Sequence, residues 1–399
     1  MNQKGPANIT LALIVVVLLG IGGYLSFANK SEPVSKQETP VATRDTGLTE
    51  TVTQNKNKTS TPEKPITQQK KIEKDSPPLF SYLEDNSLES VSTTLDLQAI
   101  TKKFYQTHQD QYDVLIFATN FLVGKKIGDI NNQAILVKND VKGIGKIIFD
   151  NSAEYGSKGK LREVVLINNE IDYATPNFFN LSLLIHEIGH IWVMFLGSPE
   201  LAINRDGAHW SNFVDAGIRI GNKIYPNVNN GGIWKDNGNG TFTELNMPDY
   251  VFDPNTFSFR YNSLDLYLMG FIPSSETTPV ALIIPDTSKE NIYPDYTGTK
   301  QWISVEDLMG IGSMQQNSPK KSGVSRPVSS HDGYFSEAYG KREPEYPNTQ
   351  REFSVGLILV NKPGAKPTSQ QVNTMNWVAE SLPQAWNLAT SGFSSIEIK

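Results

Sequence analysis

The 399-residue chain has no cysteine. That excludes disulfides, thiolate metal sites, a cysteine nucleophile and a lipid anchor on cysteine. Any metal bound here must be held by His, Asp or Glu. Histidine is also scarce, at five residues. Basic charge is not in excess: the formal net charge is −6 and the sequence pI is about 5.5. A nucleic-acid partner is therefore not expected, because phosphate binding needs a basic surface. Aromatic residues are missing from the whole interval between Phe27 and Phe80.

Charge is missing from residues 9–27, ITLALIVVVLLGIGGYLSF. An uncharged helix of that length at about 1.5 Å per residue spans a hydrocarbon core of about 30 Å. Lys4 and the amino terminus precede it, so residues 1–8 are expected in the cytoplasm and the rest of the chain outside. The competing reading is a secretory signal cleaved near Ser26-Phe27-Ala28. The stretch is longer than the usual apolar region of a signal peptide, which favours an uncleaved single-pass anchor. Residues 28–78 are rich in Thr, Lys, Gln, Glu, Ser and Pro and cannot bury enough apolar surface to offset their ordering entropy. They are expected to form a disordered tether spanning about 40 Å root-mean-square.

Residues 79–399 read as one α+β domain with a mixed sheet. Apolar spacing predicts a helix over 95–108. Val- and Ile-rich runs bounded by Gly, Asn and Asp predict strands over 112–119, 134–138, 146–150 and 163–168. A long apolar run predicts a helix over 178–196. A hairpin is expected between Trp234 and Phe242, a strand over 353–360, and a helix over 368–389 that Pro383 breaks or kinks near its end.

The run 178–196 contains His186-Glu187-Ile188-Gly189-His190. Two histidines four apart on a helix lie about 40° from each other on one face, one turn apart. Both imidazoles can then reach one ion at about 2.0–2.1 Å. Glu187, on the same turn, can take a proton from a water on the metal and pass it to a leaving amine. By composition, such a pattern is expected by chance about 0.003 times in this chain. Burying two histidines and a glutamate in so apolar a segment is costly without partners.

The stretch resembles the active-site helix of the zincin metallopeptidases. That resemblance implies a zincin-like catalytic domain, with Zn2+ held by His186 and His190, Glu187 as general base, and a peptide or protein as substrate. It also implies that the strand before the helix, EVVLIN, is the sheet edge that holds an extended substrate. The match covers about 20 residues. The metzincin pattern HExxHxxGxxH would place its third ligand at residue 196, which is Leu196, and no gluzincin-like NExxSD stretch occurs.

The third ligand is therefore open. His209, in Asp206-Gly-Ala-His-Trp-Ser, is favoured, since a Gly-flanked turn can return an imidazole to the helix. Asp265 in Asn262-Ser-Leu-Asp-Leu-Tyr-Leu-Met-Gly is next, with helix capping as its other reading. Glu200, Asp206, Asp215 and His331 are further candidates. Met269 and Tyr267 are read mainly as core residues, with a floor beneath the metal and an oxyanion contact as their functional alternatives. His108 is expected on a helix surface. Asp236-Asn-Gly-Asn-Gly-Thr lacks the closing Glu of a calcium loop, having Met247 there, and reads as a turn. The expectation is thus a membrane-tethered, extracytoplasmic zinc metallopeptidase. A non-catalytic zincin-like adhesion or binding module with a structural metal site is the alternative, and a cell-wall amidase would share the chemistry.

Overall fold

Two short runs, VLIFAT and EVVLI, carry scarcely a polar side chain, and strands of that kind are stable only when both faces are covered. In the computed structural model, which describes residues 79–89, 94–121, 123, 133–167, 178–193, 195–196, 203, 207–246, 257–310 and 338–399, they lie inside a sheet. All these residues fall within the unit Glu63–Lys399. The expected anchor at 9–27 and tether at 28–78 lie outside the described residues. Among the described residues, no helix is long and apolar enough to cross a membrane.

The strands in chain order are β1 (Ser81–Glu84), β2 (Val114–Thr119), β3 (Gln133–Leu136), β4 (Lys138–Asn139), β5 (Phe149–Asp150), β6 (Glu163–Ile167), β7 (Trp210–Asp215) and β8 (Ile218–Ile220). They continue with β9 (Lys223–Tyr225), β10 (Asn230–Gly232), β11 (Trp234–Asp236), β12 (Thr241–Glu244), β13 (Val280–Pro285), β14 (Asp295–Ile303), β15 (Glu352–Asn361) and β16 (Ser395–Ile398). The α-helices include α1 (Thr94–Tyr105), α2 (Phe178–Gly189), α3 (Ser263–Met269) and α4 (Ser369–Ala389).

The first sheet has the order β1-β15-β2-β6-β3, with β16 also on β15. Its strands run parallel except β3, which is antiparallel to β6 (Ile135 faces Val164). Side chains alternate across it. Val114, Ile116, Val165 and Leu357 pack with Leu184 and Ile185 of α2 and Trp386 of α4. Leu115, Phe117, Val164 and Ile358 pack on the other face with Leu97, Ile100 and Phe104 of α1. Each such fully buried Leu or Ile contributes about 1.5–3 kcal/mol. A second sheet, β10-β7-β13-β14-β12-β11, follows α2 in the chain. The protein is therefore a mixed α+β fold in which helices cover both faces of the first sheet.

Four readings need correction. The strand EVVLI is not the sheet edge: β6 lies between β2 and β3, and the half-buried β3 holds the edge. Chain order does not set strand order, and an antiparallel strand was free to pair outside β6. The helix begun at Phe178 ends at Gly189, not at residue 196. Its last turn tightens, with His190 N donating to Glu187 O and Trp192 N to Gly189 O. The apolar periodicity continues only because Ile191, Trp192 and Val193 enter the same core in a turn. Of the strand expected over 146–150, only Phe149–Asp150 forms. Finally, Pro383 does not break α4, which runs on to Ala389.

Thr368 and Gln371 cap α4 reciprocally in a capping box, which sequence reading did not single out. The turn Asn237–Gly240 joins β11 to β12 as a hairpin, and Asp236 pairs with Lys300 at 2.6 Å. His108, expected on a helix surface, instead lies past the end of α1 at Tyr105, half-buried and stacked on Phe104 at 4.0 Å.

Candidate metal centre

The apolar stripe of α2, Leu181, Leu184, Ile185 and Ile188, recurs at helical spacing and faces the core. That orientation leaves His186 and Glu187 half-buried on the helix flank, with His190 just beyond its last turn. Gly189 lies between them for a steric reason. A Cβ there would stand 2.5 Å from the Tyr261 hydroxyl, which donates to Ile185 O at 2.6 Å. Tyr261 thus clamps the helix across the turn that carries the histidines.

His209 immediately precedes β7, whose first residue, Trp210, is in register with Asn230 of β10. This brings its ring to α2. His186 Nε2 stands 3.1 Å from His209 Nε2 and 3.1 Å from His190 Nε2. One ligand atom from each of the three lies within 4.8 Å of the others. Tetrahedral zinc with nitrogens at about 2.05 Å sets neighbouring nitrogens about 3.3 Å apart, so the group fits such an ion.

Tautomers sharpen the fit. His186 Nδ1 stands 2.9 Å from Val228 O, and His190 Nδ1 stands 3.4 Å from Val193 O. A carbonyl only accepts, so each Nδ1 carries the proton and donates. Each Nε2 of the neutral rings then presents a lone pair. Two lone pairs facing each other at 3.1 Å repel unless a cation lies between them. Backbone carbonyls that fix a ligand's tautomer in this way are the usual outer support of imidazole metal sites.

Burial pushes the Glu187 carboxyl up to about 7. A second carboxyl, Glu163 at the start of β6, is fully buried, and neither of its oxygens has a hydrogen-bond partner. Burial, and then the charge of Glu187, raise its pKa well above the usual carboxylate range. Sequence reading missed Glu163 because a Glu at the head of a strand reads as a polar end; only the pairing on both sides of β6 buries it.

Asp265, the alternative third ligand, is elsewhere engaged. Its Oδ1 accepts from Trp210 Nε1 at 2.9 Å, and its Oδ2 accepts from Asn227 Nδ2 at 2.7 Å and from Asn262 N at 3.2 Å. The capping role foreseen for this segment is present, with Asn262 as N-cap of α3. Asp215 is bound to Arg219 at 2.9 Å. Glu200, Asp206 and His331 lie outside the described residues. Tyr267 accepts from Arg342 N, and Met269 is buried in the core with its carbonyl accepting from Arg342. The Arg342 guanidinium also lies 2.4 Å from where a Cβ of Gly270 would stand, so the left-handed residue that ends α3 must be glycine.

No protein-family model, curated protein or solved structure matches this chain. The functional reading rests on the site.

Proposed function

We propose that the chain is a zinc-dependent peptidase of the zincin type. The observation that carries this reading is the convergence of three imidazoles, two of which flank Glu187 in sequence at the end of α2. Among the described residues three histidines converge, the complement that catalytic zinc sites use, whereas structural zinc sites use four protein ligands. Bound at His186, His190 and His209, zinc would polarise a peptide carbonyl and lower the pKa of water to about 7.

The remaining work falls to the chain itself. Glu187 takes a proton from the attacking water and returns it to the departing amine. In the metal-free protein burial raises its pKa to about 7, and a bound cation would lower that value and favour the proton-accepting form. Val228 O and Val193 O hold the ligand rings in one tautomer. Among the described residues β3 forms the edge of the sheet and packs against α2, the position from which a strand could pair with an extended peptide. The uncharged segment 9–27 and the tether 28–78 supply the proposed membrane attachment, with the catalytic body outside the cytoplasm.

The test is cleavage of a peptide library by the purified full chain, read by mass spectrometry. Cleavage that a chelator abolishes and zinc restores supports the reading. Stoichiometric zinc with no peptide cut favours a non-catalytic binding module.

A further inference from the structure

Asp265 sits where two supports of the proposed site meet, and this inference rests on that site. One carboxylate oxygen takes the indole N–H of Trp210, the residue that follows His209. The other takes the side-chain amide of Asn227, the residue before Val228, whose carbonyl receives His186 Nδ1. Asn227 in turn accepts from Asn229 N at 2.5 Å, which shapes the loop carrying that carbonyl. Arg260 O binds Val228 N from behind at 2.8 Å.

We infer that Asp265 is a positioning residue for the metal centre, fixing His209 through Trp210 and His186 through the Asn227–Val228 loop. Its own position is over-determined. It is fully buried at the third residue of α3, where it and Asn262 cap each other. Next to Asn262, Tyr261 docks on α2 at Ile185 O. One short segment, 261–265, therefore touches α2, the residue that follows His209, and the loop whose carbonyl receives His186. An acid is needed at residue 265 because every group facing the carboxylate is a donor: an indole N–H, an amide N–H and a backbone N–H. An isosteric amide would turn a donor toward a donor.

The experiment uses the full chain in four forms: wild type, Asp265→Asn, Trp210→Phe, and the exchange Asn227→Asp with Asp265→Asn. Zinc affinity is measured by chelator competition, and site geometry by the visible spectrum of the Co2+-substituted protein. The expected result is zinc binding about 10–100-fold weaker in Asp265→Asn, with altered Co2+ bands. Trp210→Phe shifts in the same direction. The exchange variant restores a donor–acceptor match between residues 227 and 265 and recovers most of the affinity. Should Asp265→Asn fail to fold, Trp210→Phe and the exchange variant decide. Melting temperatures that fall while zinc affinity stays within about twofold and Co2+ bands stay unchanged would overturn the inference, leaving Asp265 a fold residue only. An exchange variant as weak as Asp265→Asn overturns it too. A wild type that binds neither ion overturns the metal site itself, which separates that failure from failure of the positioning role.

Discussion

His186 Nε2 and His190 Nε2 stand 3.1 Å apart, while each ring's Nδ1 is turned to a backbone carbonyl. The pair is arranged as two acceptors facing one point, with His209 completing the group. The expectations below follow from that relationship and from the residues that hold it.

Glu187→Gln removes the proton acceptor and leaves all three imidazoles. The variant should retain zinc near wild-type stoichiometry and lose about 10²–10⁴-fold in kcat. Metal analysis and peptide turnover on one preparation check this. Turnover at the wild-type rate would exclude Glu187 as the base.

His209→Ala should weaken zinc binding by more than about 100-fold, since a two-histidine remnant is a poor zinc site. Competition against a chromogenic chelator reads the change. Unchanged affinity would mean that the third ligand is another residue.

Gly189→Ala places a methyl 2.5 Å from the Tyr261 hydroxyl. It should destabilise the fold by about 1–3 kcal/mol. Removing the hydroxyl in Tyr261→Phe relieves the clash, because the next ring atoms lie 3.3 Å away. The double variant should therefore be less destabilised than the two single changes added together. Strict additivity in denaturant unfolding would contradict the clamp.

Stability of the metal-free protein should fall as pH rises from about 5 to 7.5. Burial raises Glu187 to about 7 and Asp265 to about 6. Both exceed the unfolded values near 4, so between those limits the native state holds protons that the unfolded chain releases. Their stabilising effect is full below the unfolded pKa and is lost as pH climbs through the folded one. Depressed carboxyls such as Asp140, paired with Arg162, act in the opposite sense but only at lower pH. Zinc should reverse the trend, because its binding requires neutral imidazoles and strengthens with pH. Thermal melting with and without zinc checks both signs.

The local chemistry was more legible than the tertiary support. His186, Glu187 and His190 lie within five consecutive residues at the end of α2, so sequence spacing largely sets their geometry. In sequence His209 is favoured over Asp265 on its Gly-flanked turn alone, and a turn by itself does not fix where the imidazole lands. What separates them is the pairing of β7 with β10 and the indole of Trp210 reaching Asp265. A buried carboxylate that accepts N–H bonds and one that binds a cation look the same in sequence. The strands β2 and β6 were readable because double burial demands unbroken apolar runs. The edge position of β3 was not, because strand order is a long-range property.

The most direct test of the central claim is X-ray absorption at the zinc edge of the metal-loaded full chain. The account predicts three imidazole nitrogens and one further oxygen ligand at about 2.0–2.1 Å. A shell of oxygens without imidazole scattering, or four protein ligands closing the site, would contradict it.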